Sequence, residues 1–164
     1  MNRLHYLIIT VVIIALDIWT KALVLARIDL HQAIPVIPDF FQLVHVRNTG
    51  AAFGIGANAE SSLVPIFLNV GAIAVFCVVV VYALRSAVTD RTLQVGLHLI
   101  LGGAIGNLLD RYRFGYVVDF LDVYVGNKHR PAYNVADSAI CIGIALLFLD
   151  MRKKPETENA VAEA

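Results

Sequence analysis

Four long apolar segments dominate the chain, covering residues 4–25, 63–84, 93–112 and 135–151. A helix that crosses the hydrocarbon core of a bilayer needs about 20 predominantly apolar residues. The first three segments meet this length, and the fourth is shorter but strongly apolar. The pattern therefore predicts an all-α membrane protein with four transmembrane helices.

The connections between these segments differ in length and pattern. Residues 26–62 include an alternating apolar stretch, FQLVHV, which predicts a few short strands at the membrane surface. Residues 113–134 contain YVVDFLDVYV, which we expect to lie at the interface, and residues 86–92 form a tight turn. The polar, acidic tail 154–164 is predicted to be disordered, so that residues 1–153 make a single membrane domain.

The distribution of lysine and arginine predicts that both termini are cytoplasmic (N-in, C-in). Cytoplasmic connections carry an excess of these residues. Lys128 and Arg130, in the connection 113–134, oppose this orientation. The residues that favour it are Arg3, Arg85, Arg91, Arg152, Lys153 and Lys154.

Composition agrees with a membrane protein, because 59% of residues are apolar and only 16% are charged. Soluble domains are about a quarter charged. The formal net charge of zero gives no sign of a nucleic-acid partner. The five histidines lack metal-ligand spacing, so we expect neither a metal nor another cofactor. Cys77 and Cys141 lie inside apolar runs and are predicted to be small buried hydrophobic residues.

The predicted topology brings the unusual polar residues to one side of the membrane. Ionisable residues within spans are unfavourable and are usually functional. The residues placed near the outer face are Asp17, Lys21, Asn107, Asp110, Arg111, Asp119, Asn134 and Asp137. Gly102 and Gly106 form a small-xxx-small pair, which predicts close approach of a neighbouring helix.

Some of these residues have a structural interpretation. Asp17 and Lys21 are four apart on one helix and are predicted to form an ion pair. Asp110 precedes Arg111 directly, and this pair is interpreted as an interfacial anchor of the third helix. The transporter hypothesis, in which Asp17, Lys21 and Asp110 line a path, requires polar residues through the full membrane depth. The inner halves of the first and fourth segments are instead almost purely apolar.

The acids Asp119 and Asp137 lack such local cations. Asn134 and Asp137 fit a helix N-cap with an acid in the first turn, which is one interpretation of that pair. Asp119 is surrounded by apolar residues, and Asp122 is either its partner on a helix or a solvated residue on a strand. If Asp119 and Asp137 meet, like charge makes them share a proton, so that one acts as a general base on water and the other as an acid.

Two further enzyme hypotheses follow from the same residues. Asp110, Asp119 and Asp122 are candidate ligands of a hard cation, which predicts sensitivity to chelators. A serine or cysteine peptidase is disfavoured, because His98 is expected at the opposite side of the membrane from Ser138 and Cys141.

Five motifs resemble those of the bacterial lipoprotein signal peptidases, also called signal peptidase II. They are LDIWTK (16–21), RNTGAAFG (47–54), GGAIGNLLDR (102–111), YVVDFLD (116–122) and PAYNVADSAI (131–140). They occur in the family's order, and the resemblance extends from about residue 4 to residue 151. It implies four transmembrane helices with a small periplasmic β-cradle and a short periplasmic helix, formed by the two outer connections.

The resemblance also implies an activity. It implies a monomeric aspartyl endopeptidase of the bacterial cytoplasmic (inner) membrane, surrounded by phospholipids, with its active site on the periplasmic side. The implied substrates are diacylglyceryl-modified prolipoproteins, which are cut just before the lipidated lipobox cysteine. Asp119 and Asp137 match the family's catalytic aspartates. We expect Asp137, at a helix N-terminus, to be the resting base and Asp119, in apolar surroundings, to be the acid.

Supporting roles are implied for five more residues. Asn48 and Gly50 match the family's substrate-contacting loop, and Asn107 matches a position near the acids. Arg111 is expected to hold a substrate carbonyl by hydrogen bonding, and Asn134 to orient Asp137. The matched positions interpreted as mainly structural are Asp17, Lys21 and Asp110.

Overall fold

The computed structural model describes residues 2–50, 63–126 and 128–152. Its helices are α1 (Arg3–Arg27), α2 (Leu63–Arg85), α3 (Arg91–Phe114) and α4 (Val135–Met151). Each lies within a few residues of one apolar segment of the sequence. The predicted disorder of the tail and the second half of the RNTGAAFG motif concern residues outside the described ranges.

The helices carry apolar side chains on their outer surfaces. Within the described ranges, α1 and α3 are long and apolar enough to cross a membrane, and Asn69–Arg85 and α4 are shorter apolar helices. A bundle with this surface would be insoluble in water unless lipid covered it. The exposed apolar side chains include Leu4, Ile8, Val11, Trp19, Val70, Val78, Leu84, Ile142 and Phe148.

Capping residues define both ends of α3. Asp90 accepts a hydrogen bond from the backbone N–H of Leu93 at 3.2 Å, as an N-cap does. At the other end Gly115 takes a left-handed φ of 80°, and its N–H donates to the carbonyl of Arg111. The chain therefore leaves α3 directly into the segment that carries Asp119.

Four strands form one antiparallel sheet beside the C-terminal ends of α1 and α3. They are β1 (Ala33–Ile37), β2 (Phe41–Asn48), β3 (Val117–Val125) and β4 (Lys128–His129), in the spatial order β1-β2-β3-β4. Residues from both outer connections therefore build the same sheet. The strands expected in residues 26–62 are present, and β3 is longer than either of the strands that precede it.

The short helix expected in the outer connections is not seen in their described parts. Residues 113–134 include the end of α3 and the strands β3 (Val117–Val125) and β4 (Lys128–His129), and their position at the interface stays a prediction. β3 pairs with β2, and the first four residues of the strand are all buried. Val118 and Phe120 pack there against Val24 of α1 and against Ile28, the residue that follows α1.

Glycines of α3 allow α1 to approach closely, as the small-xxx-small pair predicts. A Cβ atom at Gly102 would lie 2.8 Å from Cβ of Ile13, and one at Gly106 would lie 2.6 Å from Oδ2 of Asp17. Both distances are shorter than real contacts of a Cβ atom. The pair therefore brings the Asp17 carboxylate directly onto α3.

Gly103 makes the corresponding contact with α4. A Cβ at this position would overlap the carbonyl oxygen of Ala136 and lie 2.7 Å from Cγ1 of Ile140. Gly103→Ala is expected to lower the free energy of unfolding by about 1–3 kcal/mol, because the helices must separate. Thermal unfolding in detergent micelles measures this. Gly71→Ala is the control, since a Cβ there meets nothing within 4 Å, and an equal loss in both variants would contradict the account.

The two cysteines do not occupy the core. Cys77 and Cys141 were expected to be buried, but both are exposed free cysteines. An apolar run in a membrane helix covers the whole circumference of the helix, so it does not tell which side faces protein. Both residues lie on the outer surface of the bundle.

Candidate active site

The N-terminus of α4 holds Asp137 in a capping box. Asn134 Oδ1 accepts a hydrogen bond from the backbone N–H of Asp137 at 2.9 Å, and Asp137 Oδ2 accepts one from the backbone N–H of Asn134 at 3.2 Å. The capping interpretation of these two residues is therefore confirmed. The capping box uses only Oδ2 of Asp137, and Oδ1 points away from the cap. Asp137 can therefore have both a capping role and a chemical role.

Asp119 lies in the middle of β3 and is only 2% exposed. Two amide groups donate to it: Asn134 Nδ2 to Oδ1 at 2.8 Å, and Asn48 Nδ2 to Oδ2 at 2.9 Å. Asn48 is the last residue of β2, where it pairs with Val117. The antiparallel pairing of two strands distant in sequence therefore supplies one of the two donors to Asp119.

Two asparagines join the Asp119 and Asp137 carboxyl groups. Asn107 Nδ2 donates to Asp137 Oδ1 at 2.7 Å, while Asn107 Oδ1 accepts from Asn134 Nδ2 at 3.1 Å. Asn134 in turn donates to Asp119. The two acids, separated by 18 positions in the sequence, are thus connected through side chains of α3 and of the α4 cap.

The orientation of each asparagine amide is fixed by a group that can only donate. Asn134 Oδ1 faces the backbone N–H of Asp137, and Asn48 Oδ1 faces the backbone N–H of Gly50 at 2.9 Å. Asn107 Oδ1 faces the ammonium group of Lys21 at 3.1 Å. Because an N–H group requires an oxygen opposite it, all three NH2 groups must point toward the acids.

The environment of Asp119 favours the protonated carboxyl. Burial, followed by the nearby charge of Asp137, raises the pKa of Asp119 from 3.8 to about 7. The amides of Asn48 and Asn134 and the charge of Lys21 act in the opposite direction. Near neutral pH, Asp119 can therefore hold and release a proton.

A buried charge network lies behind this pair. Lys21 Nζ is 2.7 Å from Asp17 Oδ2 and 2.9 Å from Asp110 Oδ2. The expected Asp17–Lys21 ion pair is present. The prediction that Asp110 pairs with Arg111 is wrong, because successive helical residues point in different directions. Asp110 instead faces Lys21 and the backbone N–H of Val118.

Arg111 points toward the backbone of Gly50, which lies in the RNTGAAFG motif. Its guanidinium donates to the carbonyl oxygen of Gly50 at 3.2 Å, and it lies within electrostatic range of Asp119 and Asp137. The guanidinium group of Arg111 thus already donates to one backbone carbonyl. Its role in holding a substrate carbonyl stays a prediction. Both backbone groups of Gly50 are hydrogen-bonded, because its N–H donates to Asn48 Oδ1 and its carbonyl accepts from Arg111.

Asp122 is neither a partner of Asp119 nor solvated, so both expectations for it were wrong. The two residues lie on a strand and are three apart, so their side chains point to opposite faces. Asp122 is buried, and its Oδ2 accepts from Gln42 Nε2 at 2.6 Å and contacts His129 Nδ1 at 2.8 Å. This separation also disfavours a shared metal site of Asp110, Asp119 and Asp122. Over the ranges 2–50, 63–126 and 128–152, no cluster of three His, Cys, Asp or Glu side chains could hold a metal ion.

A cavity of about 250 Å³ opens beside Asp137. Its polar wall includes Asn48, Asn107 and Arg111, and its apolar wall comes from α2, α3 and α4. Asp119 lies next to it, held by Asn48. The contribution of α2 was not predicted from the sequence, although the small residues that interrupt the bulky apolar run of that segment are a signal for it. The α2 residues of the wall are Gly71, Ala72 and Val75.

Comparison with known proteins identifies the family of this chain. A sequence model of the signal peptidase (SPase) II family matches residues 9–153. The chain belongs to the signal peptidase II family. All five motifs of the resemblance fall within the matched region.

Individual relatives agree with this assignment. The chain is 51% identical to the lipoprotein signal peptidase of Syntrophotalea carbinolica, over 87% of this chain and 88% of that protein. The corresponding protein of Syntrophus aciditrophicus is 40% identical over 94% and 96%. A solved structure described as a bacterial membrane enzyme has a TM-score of 0.79 and 31% identity, covering 94% of this chain and 93% of that one.

Proposed function

We propose that this protein is an aspartyl endopeptidase that removes signal peptides from diacylglyceryl-modified prolipoproteins. The cut falls just before the lipidated lipobox cysteine. Family membership supports the reaction class, and the relatives named above are lipoprotein signal peptidases. The single observation that carries the mechanism is the hydrogen-bonded chain from Asp119 through Asn134 and Asn107 to Asp137.

The proposed reaction uses the two acids in different protonation states. Asp137, ionised at the N-terminus of α4, accepts a proton from water as the water attacks the scissile carbonyl carbon. Asp119 donates its proton to the carbonyl oxygen and polarises the bond. The C–N bond then breaks as Asp137 gives the proton taken from water to the leaving nitrogen, which becomes the new amino terminus of the lipidated cysteine. Asp119 recovers its proton from the hydroxyl group that becomes the oxygen of the new carboxyl terminus. The asparagine amides hold both carboxyl groups in place throughout.

The proposed setting is the bacterial inner membrane, with four transmembrane helices, both termini cytoplasmic and the sheet on the periplasmic side. The apolar outer surface of the helices supports contact with phospholipid tails. The lysine and arginine distribution supports the orientation. The protein acts as a monomer, because one chain carries both acids and the cavity beside them.

Cleavage of a diacylglyceryl-modified prolipoprotein by the purified protein in detergent micelles tests the proposal. Mass spectrometry of the products is expected to place the cut at the bond preceding the modified cysteine, and the unmodified precursor is the matched control. Activity should also survive a chelator. Chelator inhibition that divalent cations reverse would instead favour the metal-dependent hypothesis.

The pH dependence of kcat is expected to show an alkaline limb near pH 7. A carboxyl whose pKa is raised to about 7 is protonated below that pH and loses its proton above it. Because the proposed role of Asp119 requires the proton, kcat falls as the pH rises through this value. Asn48→Leu removes an amide that lowers the pKa of Asp119, so its alkaline limb should move to higher pH. A limb that moves to lower pH in this variant would contradict the assignment.

A further inference from the structure

Lys21 occupies an unusual position for a residue with a purely structural role. Its side chain is only 3% exposed, and its ammonium group contacts three oxygens: Asp17 Oδ2, Asp110 Oδ2 and Asn107 Oδ1. The two carboxylates balance the charge of the ammonium group and take two of its three donors. The third contact, at 3.1 Å, connects this network to the side chain that donates to Asp137.

We propose that Lys21 is a positioning residue for the peptidase reaction, which holds the Asn107 amide in the orientation that aims its NH2 group at Asp137. This inference rests on the proposed function of Asp137. A primary amide can rotate by 180° and exchange its oxygen and nitrogen. An ammonium group carries three donors and no acceptor, so it accepts only one of the two orientations.

A second contact joins the same network to Asp137 through the backbone. Asp17 Oδ1 accepts a hydrogen bond from the N–H of Ala136 at 2.9 Å. Ala136 precedes Asp137 in the first turn of α4, and its N–H has no partner within the helix. Lys21 fixes Asp17 as well as Asn107, so both the backbone and the carboxyl group at the start of α4 are held from α1.

Asn134 also donates to Asn107 Oδ1, which limits the expected effect of losing Lys21. Asn134 Nδ2 lies near three acceptors, at 2.8 Å from Asp119, 3.1 Å from Asn107 and 3.4 Å from the carbonyl of Val118. Two hydrogens serve these three oxygens, so Asn134 alone holds Asn107 weakly. We expect loss of Lys21 to lower kcat by about tenfold rather than to abolish it.

The test is a double-mutant cycle in an Asp17→Asn background. Lys21→Met alone would leave two buried carboxylates without a cation, whereas Asp17→Asn removes one negative charge with the positive one and keeps Oδ1 for Ala136. Lys21→Met is expected to lower kcat about tenfold in this background, with KM within twofold. In the presence of Asn107→Leu, Lys21→Met should change kcat by less than twofold, because Lys21 acts through Asn107.

The level of kcat well below pH 7 separates the positioning effect from the charge of Lys21, because it should fall with Lys21→Met only while Asn107 is present. The charge of Lys21 lowers the pKa of Asp119, so the alkaline limb should shift to higher pH when Lys21→Met is introduced. Two results would overturn the inference. One is an equal loss of kcat from Lys21→Met with and without Asn107→Leu, and the other is a change below twofold while Asn107 is present.

Two controls keep the result interpretable. Asp137→Asn in the same background tests the proposed function separately: if it is inactive while Lys21→Met is fully active, only the positioning role fails. If Lys21→Met gives no cooperative thermal transition, the cycle is run with Lys21→Arg, whose larger group displaces the donor. The expected loss is then about threefold and must again disappear in the leucine background, and an additive loss would overturn the inference.

Discussion

Asp137→Asn is expected to lower kcat for a diacylglyceryl-modified prolipoprotein by roughly a thousandfold, the scale of losing a general base. An amide cannot accept the proton of the attacking water. The single amide oxygen replaces only one of the two carboxylate oxygens, so it accepts either from Asn107 or from the backbone N–H of Asn134. Loss of one hydrogen bond should lower the free energy of unfolding by about 1 kcal/mol, and the fold should persist. Single-turnover cleavage in detergent micelles measures the chemical step, and KM is expected to change little.

Asp119→Asn is expected to have an effect of the same size for a different reason. The amide cannot transfer a proton to the substrate oxygen. Its one oxygen accepts from only one of Asn48 and Asn134, and its NH2 group faces the NH2 group of the other. Because the folded pKa of about 7 lies above 3.8, the wild type should lose stability as the pH rises from about 3.8 to about 7, and Asp119→Asn should not show this fall. Asp150→Asn, at the far end of α4, is the control and should retain full activity. Full activity of Asp119→Asn or of Asp137→Asn would refute the assignment of these two residues as the catalytic acids.

Asn134→Leu is expected to lower kcat by about a hundredfold, because this residue joins both acids. The substitution removes the donor to Asp119 Oδ1 and the acceptor for the Asp137 N–H. It also removes an N-cap, which costs about 1 kcal/mol of stability.

Asn134→Ser separates these two effects. Serine is a good N-cap, but its side chain is too short to reach Asp119. We expect its thermal unfolding temperature to lie near that of the wild type while kcat falls as far as in the leucine variant. Recovery of kcat together with stability would mean that Asn134 acts only as a cap.

The helices could be predicted from the sequence because the membrane imposes a simple rule. About 20 apolar residues in a row form a helix whatever surrounds them. The ion pair of Asp17 and Lys21 was equally accessible, since four positions along a helix make one contact. Such local regularities account for most of the predicted fold.

The sheet could not be predicted in the same way. β2 and β3 are separated by two helices, and their pairing sets Asn48 beside Asp119. No periodicity within either strand encodes that contact. The errors at Asp110 and Asp122 have the same origin, because their partners Lys21 and Gln42 lie about 80 or more positions away.

Asp119 and Asp137 were selected as candidates from their lack of local cations and, independently, from the family motifs. The absence of a nearby cation in the sequence distinguished Asp119 from Asp17, and this local argument agreed with the family motifs. The asparagines that connect the acids carry no charge pattern of their own. Their function depends on amide orientation, which only the three-dimensional contacts define.

Infrared difference spectroscopy of the carboxyl groups tests most directly the claim that Asp119 and Asp137 share one proton. Spectra of the wild type are compared below and above pH 7 with those of both Asp→Asn variants. The account predicts a protonated carboxyl band in the wild type that fades as the pH rises through about 7 and is missing in Asp119→Asn. A band that persists in Asp119→Asn but is lost in Asp137→Asn would contradict it, as would a pair fully ionised at pH 6.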